Sequence, residues 1–337
     1  MGGTLSELLQ RMLGEERSNG LFKVLTIHPA LRDTCGESVS RALIAQGLNM
    51  LLFENLLARV PMAQAYANDR LARSERVTHD HGAVRTVALA GMGTLPAGEE
   101  SLLRVLRPLG YARREVYPLD KLKMTGRSYA QQDFPEDIAQ FFVSELHPDR
   151  FSPQFQTVVA RVTASSRDPL SPVVQSALAR LERDGFLPLN TAVAVLPVLV
   201  ACFDRQHALL SIEDYEALAA ESPEMAWIST EGNAFNHATD RVADVEAVAS
   251  EQKTLGRPMK DQIEVSASGR IRQTAFRAAT VRRQFRQPDG HIVEREVPGS
   301  FYEFISRSHL PDGSGKLDLG FDSSNAQGIF KMTQAVA

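Results

Sequence analysis

The sequence predicts an α+β protein built on two βαβββ modules that form a curved sheet around a shared centre. One helical region precedes the first module and a helical insertion separates the two. Three observations carry this. The order strand, helix, several strands occurs twice, over about 77–130 and 230–307. Each repeat contains the same short pattern, His81-Gly-Ala-Val-Arg85 in the first and His237-Ala-Thr-Asp-Arg241 in the second. Glycine and proline fall between the periodic segments, where elements have to end.

Taken in order, residues 1–76 read as helical, with apolar residues at helical spacing through Leu43, Ile44, Leu48, Leu51, Leu52, Leu56 and Leu57. The first module covers 77–133. Val77–Leu89 is a strand, Glu99–Leu109 a helix stopped by Gly110, and Tyr111–Pro118 and Leu122–Tyr129 are strands. Residues 134–224 form the helical insertion, punctuated by Pro135, Pro153, Pro172 and Pro188. Its apolar run Ala192–Cys202 contains Pro197 and is about half the length a membrane span needs, so it reads as a buried helix.

The second module covers 225–310. It has a strand over Met225–Thr230, a helix over Asp240–Leu255 ended by Gly256, and strand-like runs over Ile263–Ser268, Arg270–Arg286, His291–Val297 and Phe301–Arg307. Pro288-Asp289-Gly290 between two of these runs is a hairpin turn. Residues 311–337 are a tail.

Composition excludes several classes. A chain of 337 residues with 43% apolar and 23% charged residues is globular and too long for one compact core. A net charge of -4 offers no basic field to nucleic acid. Cys35 and Cys202 are far apart and form no CxxC, which fits a reducing, cytoplasmic setting. The N-terminus does not read as a secretory signal, although Gly2 and Ser6 match the loose myristoylation pattern. Neither a membrane nor a nucleic-acid partner is expected, and oligomeric state is not readable. No GxGxxG, GxSxG or HExxH occurs.

The chemistry is expected around the histidines. On a strand, His79, His81 and Arg85 share one face. Two histidines and one carboxylate leaving open positions is the donor set of non-haem Fe(II) oxygenases. Structural histidines are the bland alternative. Glu303, in Ser-Phe-Tyr-Glu-Phe-Ile-Ser-Arg307, is costly to bury unless a metal or a cation compensates it. Pairing with Arg307 on the same strand is its alternative role. Asp80 and Asp240 are rival ligands, expected on the opposite strand face from Arg85 or in a loop. A second cluster, Lys260, Ser266, Ser268, Arg270 and Arg272, suits a dicarboxylate, or else a solvated strand of alternating charge.

Five segments, Thr-His-Asp-His-Gly-Ala-Val-Arg-Thr, Leu-Lys-Met-Thr-Gly-Arg-Ser-Tyr-Ala, Phe-Asn-His-Ala-Thr-Asp-Arg, Glu-Val-Ser-Ala-Ser-Gly-Arg-Ile-Arg-Gln-Thr-Ala and Ser-Phe-Tyr-Glu-Phe-Ile-Ser-Arg, together resemble the 2-oxoadipate dioxygenase/decarboxylase family over about residues 20–330. The resemblance implies a vicinal-oxygen-chelate-like fold and Fe(II)-dependent conversion of 2-oxoadipate and O2 to 2-hydroxyglutarate and CO2 in lysine breakdown. It implies His81, His237 and Glu303 as metal ligands and Arg85 as the residue that meets the substrate carboxylate. Ser266, Arg272 and Lys260 are expected to assist Arg85. A Zn(II) hydrolase or isomerase on the same fold, and a non-catalytic small-acid binding module, are the competing readings.

Overall fold

The structure is a computed structural model that describes residues 3–322. Gly2, which carries the myristoylation expectation, and residues 323–337 of the tail lie outside the described residues. The N-terminal region is helical as expected: α1 (Thr4–Leu13), α2 (Glu15–Val24), α3 (Pro29–Arg32), a short β1 (Ser38–Ser40), α4 (Arg41–Arg59) and α5 (Pro61–Ala72). Ser40 caps α4 by accepting from the Leu43 amide. This helix is buried on nearly every side, which explains why its apolar pattern is broad rather than a single stripe.

The first module is β2 (His79–Val87), α6 (Glu100–Leu106), β3 (Tyr111–Leu119), β4 (Met124–Gln131) and β5 (Gln140–Leu146). Here the structure corrects the sequence reading, which placed 140–146 in the helical insertion. Every residue of β5 is buried. It lies inside the sheet, parallel to β2 and antiparallel to β4. A strand covered on both faces shows no alternation, so its apolar run looks like a piece of buried helix.

The insertion then comprises α7 (Pro153–Thr163), α8 (Pro172–Asp184), β6 (Phe186–Pro188), α9 (Leu189–Ala201), α10 (Ile212–Glu221) and α11 (Pro223–Glu231). The strand expected at Met225–Thr230 is therefore helix. Ser222 caps it through the Met225 amide and Pro223 occupies the first turn. Burial of all but one of its residues overrides the strand preference of Trp227, Ile228 and Thr230. Among the described residues no helix is long and apolar enough to cross a membrane.

The second module is β7 (His237–Arg241), α12 (Val245–Thr254), β8 (Glu264–Val265), β9 (Ile271–Ala275), β10 (Thr280–Arg286), β11 (Ile292–Pro298) and β12 (Phe301–Arg307). Helix α12 starts later than expected because Asp240 stays in β7 and Asp244 is the cap, accepting from the Ala247 amide. The expected run Arg270–Arg286 divides into β9 and β10. The hairpin at Pro288–Gly290 is present, but β10 and β11 pair with each other outside the main sheet, with one further bridge from Arg286 to Ser211.

The main sheet has the order β3-β4-β5-β2-β7-β12-β9-β8 and is strongly curled. The duplication is plain in this order. In each half an opening strand (β2 or β7) runs parallel to the module's last strand, which continues through two antiparallel neighbours to the edge. The halves join where β2 meets β7 antiparallel.

Behind this junction lies an aromatic layer. Phe53 of α4 and Tyr66 of α5 pack on Tyr302, and Tyr66 also meets Phe304 edge-on at 4.9 Å. The far end of the Phe235 ring lies against Gly82, where a Cβ would come within 2.2 Å of it. Gly82→Ala is expected to overpack this contact, costing about 1–3 kcal/mol. The measurement is the urea midpoint of the variant, and an unchanged midpoint would show that the ring can move aside.

Asp240 is buried behind the sheet and accepts from the Tyr66 hydroxyl at 2.7 Å and the Thr78 amide at 2.8 Å. Burial pushes its carboxyl up to about 7. The folded chain therefore keeps a proton there that the unfolded chain releases near pH 4. The stability this group contributes is present below that pH and lost as pH rises through about 7. Asp240→Asn should gain on the wild type by an amount on the order of 1–4 kcal/mol between about pH 4 and 8. Urea titrations across that range check it, and parallel stability curves would contradict it.

Candidate active site

The site is a consequence of strand register. Across the middle of the sheet, His81 of β2 pairs with Thr239 of β7, and Thr239 pairs with Glu303 of β12. His237 lies two positions along β7 on the same face, opposite Ala83 and Phe301. Thr239 is short, and the longer side chains on its two sides meet above it. Its hydroxyl donates to Glu303 Oε2 at 2.7 Å and lies 3.1 Å from His81 Nε2. His81 Nε2 and His237 Nε2 stand 3.2 and 3.5 Å from Glu303 Oε2.

Each imidazole is oriented from behind. His81 Nδ1 is 2.8 Å from Asp80 Oδ1, and His237 Nδ1 is 3.4 Å from the Asn236 side-chain oxygen. Burial lowers His81, but its hydrogen bonds to Asp80 and Glu303 outweigh that and hold the imidazole above its ordinary value. Protons kept on both Nδ1 atoms would leave both Nε2 atoms to a cation. Burial pushes His237 down to about 3, so its ring is neutral.

A β-bulge decides which neighbours reach this face. His79 pairs with Asp240 and His81 with Thr239, so two steps on β2 match one on β7. The strict alternation assumed from sequence therefore fails at one place. His79 turns to the opposite face, packed on Phe53 and Phe235 at 5.1 and 5.9 Å between ring centres. Asp80, expected on the opposite face from Arg85 or in a loop, instead stands behind His81. Asp240 is turned to the rear, as described above. Arg307 does not pair with Glu303. It forks onto Asp80, with Nε at 2.9 Å and Nη2 at 2.8 Å, and both side chains are buried.

His81, His237 and Glu303 are, among the described residues, the one group of metal-ligating side chains whose donor atoms all lie within 4.8 Å of one another. They fit a divalent cation. Glu303 has no solvent exposure, and its Oε1 accepts no hydrogen bond among the described residues. Burial raises the Glu303 carboxyl, the hydrogen bond from His81 outweighs that and holds it below its ordinary value, and a divalent ion between the three donors would stabilise the carboxylate in the same way.

The three donors line one cavity with Arg85, Phe142, Ser144, Gln273 and Phe321. Arg85 lies four residues from His81 on the same strand face, roughly 13 Å along β2 at the usual rise. Its guanidinium sits 4.9 Å over the Trp227 ring of α11, whose Nε1 donates to the Gly299 carbonyl at 3.0 Å. Burial pulls Arg85 down to about 10, and Glu224 counters part of that shift. Sequence reading missed Trp227 because Met225–Thr230 looked like a strand. It missed Thr239 because the register cannot be read from one chain segment.

The structure does not bring Lys260, Ser266 or Arg272 to the cavity wall. Lys260 pairs with Glu264, which itself accepts from the cavity-lining Gln273 at 3.3 Å. Arg272 pairs with Glu246 on α12. Ser266 and Ser268 build the turn between β8 and β9, with Ser266 Oγ accepting from the Ile271 amide. This segment anchors the chain that follows β12. The Ala267 amide donates to Asp322 at 2.9 Å, and Arg270 pairs with Asp318 at 2.7 Å.

The sequence profile described as 2-oxoadipate dioxygenase/decarboxylase matches residues 54–327. The chain belongs to this family. A chloroplastic 2-oxoadipate dioxygenase/decarboxylase of Arabidopsis thaliana is 25% identical over 298 residues, covering 78% of this chain and 70% of that protein. The Mycobacterium tuberculosis 2-oxoadipate dioxygenase/decarboxylase is 27% identical over 260 residues, covering 71% of this chain and 60% of its own.

Among solved structures, a protein of Ralstonia eutropha JMP134 described as belonging to the glyoxalase superfamily is 53% identical. Its TM-score is 0.91 over 95% of this chain and 98% of that one. The hydroxyglutarate synthase of Oryza sativa, solved with 2-oxoadipate, has the same fold at 20% identity and TM-score 0.66, over 87% of this chain and 93% of that one. The fold is thus the vicinal-oxygen-chelate fold that the family resemblance implied.

Removal of Arg307 tests the support behind His81. Arg307→Met strips Asp80 of its forked partner, leaving Arg241 at 3.9 Å, and is expected to cost about 3–5 kcal/mol of stability. It should also weaken divalent-metal affinity by about 10–100-fold. Denaturant unfolding and a metal titration of the same variant read the two effects, and unchanged metal affinity would show that the Arg307–Asp80 pair is not needed to hold His81 in place.

Proposed function

We propose that this family member is a mononuclear non-haem Fe(II) enzyme that converts 2-oxoadipate and O2 to 2-hydroxyglutarate and CO2, a cytoplasmic step of lysine breakdown. The observation that carries the reading is the pairing, in one buried cavity, of the His81, His237 and Glu303 donor set with the guanidinium of Arg85. The shared family profile and the names of the curated relatives supply the substrate. When bound, iron supplies Lewis acidity toward a 2-oxo acid and redox chemistry toward O2.

The chain's own residues do the rest. His81 and His237 would offer their Nε2 atoms to the metal, with Asp80 and Asn236 holding the ring orientations. Glu303 supplies the negative charge, steadied by the Thr239 hydroxyl. Arg85 meets the distal carboxylate of the diacid, and Trp227 beneath it fixes the plane of the guanidinium. Phe142 and Phe321 keep the methylene chain out of water.

Oxygen uptake by anaerobically Fe(II)-loaded protein given 2-oxoadipate, with 2-oxoglutarate as comparison, is the test. Equimolar O2 consumption and CO2 release with 2-hydroxyglutarate formed is the expected result. His237→Ala should abolish turnover, and uptake retained in that variant would sink the metal assignment. Arg85→Ala should lower kcat/KM by roughly 10–100-fold, mainly through KM, the loss expected for a charged hydrogen bond. No uptake by metal-loaded wild type would favour the hydrolytic or isomerising Zn(II) reading.

A further inference from the structure

One wall of the cavity is not part of the sheet. After β12 the chain turns back, and residues 317–322 run across the opening as a strap. Arg307 clamps it by donating from Nη1 to the carbonyls of Asp318 at 2.9 Å and Gly320 at 2.7 Å. The Tyr117 hydroxyl accepts from the Phe321 amide at 3.1 Å, and the Asp318 amide donates to the Ser308 carbonyl at 2.9 Å. Arg270 and the Ala267 amide hold the strap's two aspartates, as described above.

These anchors place the Phe321 ring inside the site. It stands edge-on to His81 at 4.8 Å and tilted against Phe142 at 5.1 Å, with the Arg307 guanidinium 5.1 Å from its centre. It is half-buried and packs with Ala83, Tyr117 and Phe142 in a small apolar cluster of its own. Ala83 lies between His81 and Arg85 on β2, so this cluster flanks the path from the three donors to the guanidinium.

We infer that Phe321 is a specificity-determining residue: its ring, carried on the Arg307-clamped strap, is the wall that admits a straight 2-oxo diacid and turns away 2-oxo acids with a bulky group near the keto carbon. The inference rests on the proposed 2-oxo acid reading and goes beyond it by assigning the selection to one side chain. A straight methylene chain lies along the ring. An aromatic substituent needs the space that the ring occupies. Shape selection of this kind amounts to about 10–200-fold per group added or removed.

The test uses the full chain loaded with Zn(II), which allows equilibrium binding without turnover, titrated calorimetrically with 2-oxoadipate and with 2-oxo-3-phenylpropanoate. Phe321→Ala is expected to weaken 2-oxoadipate at least tenfold and to tighten the phenyl acid at least tenfold. Phe321→Leu should fall between alanine and wild type. With Fe(II), the ratio of kcat/KM for the two acids should shift in the same direction. An unchanged affinity ratio in both variants overturns the inference. So does an equal loss for both acids, since that marks a general loss of packing. A melting curve identifies an alanine variant that fails to fold, and the leucine variant then decides. Failure of the underlying reading shows differently, as metal-loaded wild type that binds neither acid, and it removes this inference as well.

Discussion

A carboxylate with no exposure to water has to be compensated, and Glu303 sits at the point where that requirement is concentrated. It lies in a strand rich in aromatic residues, with a buried imidazole on each side and the Thr239 hydroxyl beneath. Nothing in a hydrophobic sheet favours such an arrangement for stability alone. Such a carboxylate needs a positive partner, and its two imidazole neighbours stand where, with it, they could hold a cation. The junction of β2 with β7 and of β7 with β12 brings the three donors to adjacent positions. The aromatic layer behind the sheet holds that junction rigid.

The support extends outward in layers that share members. Asp80 orients His81, Arg307 neutralises Asp80, and the same guanidinium clamps the strap that carries Phe321 back onto His81. His81, its orienting partner and the cavity wall are therefore linked through one buried arginine. On the other side, α11 and the β10–β11 hairpin share a core that includes Met225, Trp227, Phe285 and Val297. That core presses Trp227 against Arg85. The helical insertion and the hairpin, which lie outside the main sheet, thus set the position of the guanidinium. The repeats themselves set His81, His237 and Glu303.

Duplication explains why so simple a pattern as His-x-x-x-Arg was informative, and also where it misled. His81 and His237 do come together, one from each half. Arg85 shares the face of His81, as alternation requires. Arg241, the matching residue of the second half, instead donates to the Glu136 carbonyl and stands near Asp80. The two halves have the same strand order but different uses for corresponding positions. One contributes the guanidinium that faces the cavity and the other contributes the carboxylate.

The sequence by itself determined the composition of the site and the existence of two modules. Ligand-type residues in polar, small-residue strand contexts stand out because burial penalises them unless they have a purpose. Strand, helix and turn periodicities are local properties of the chain. The missed strand β5, the helix α11 read as a strand, the reversed faces of His79 and Asp80, and the positions of Ser266, Lys260 and Arg272 were decided by tertiary structure. Each depends on which segments lie beside it: a central strand loses its alternation, a fully buried helix can be rich in β-branched residues, and one bulge inverts the facing of the residue before it. The pairing of Arg307 with Asp80 rather than Glu303 has the same origin. Two strands and the bulge between them fix which carboxylate an arginine meets, and no spacing within one strand contains that information.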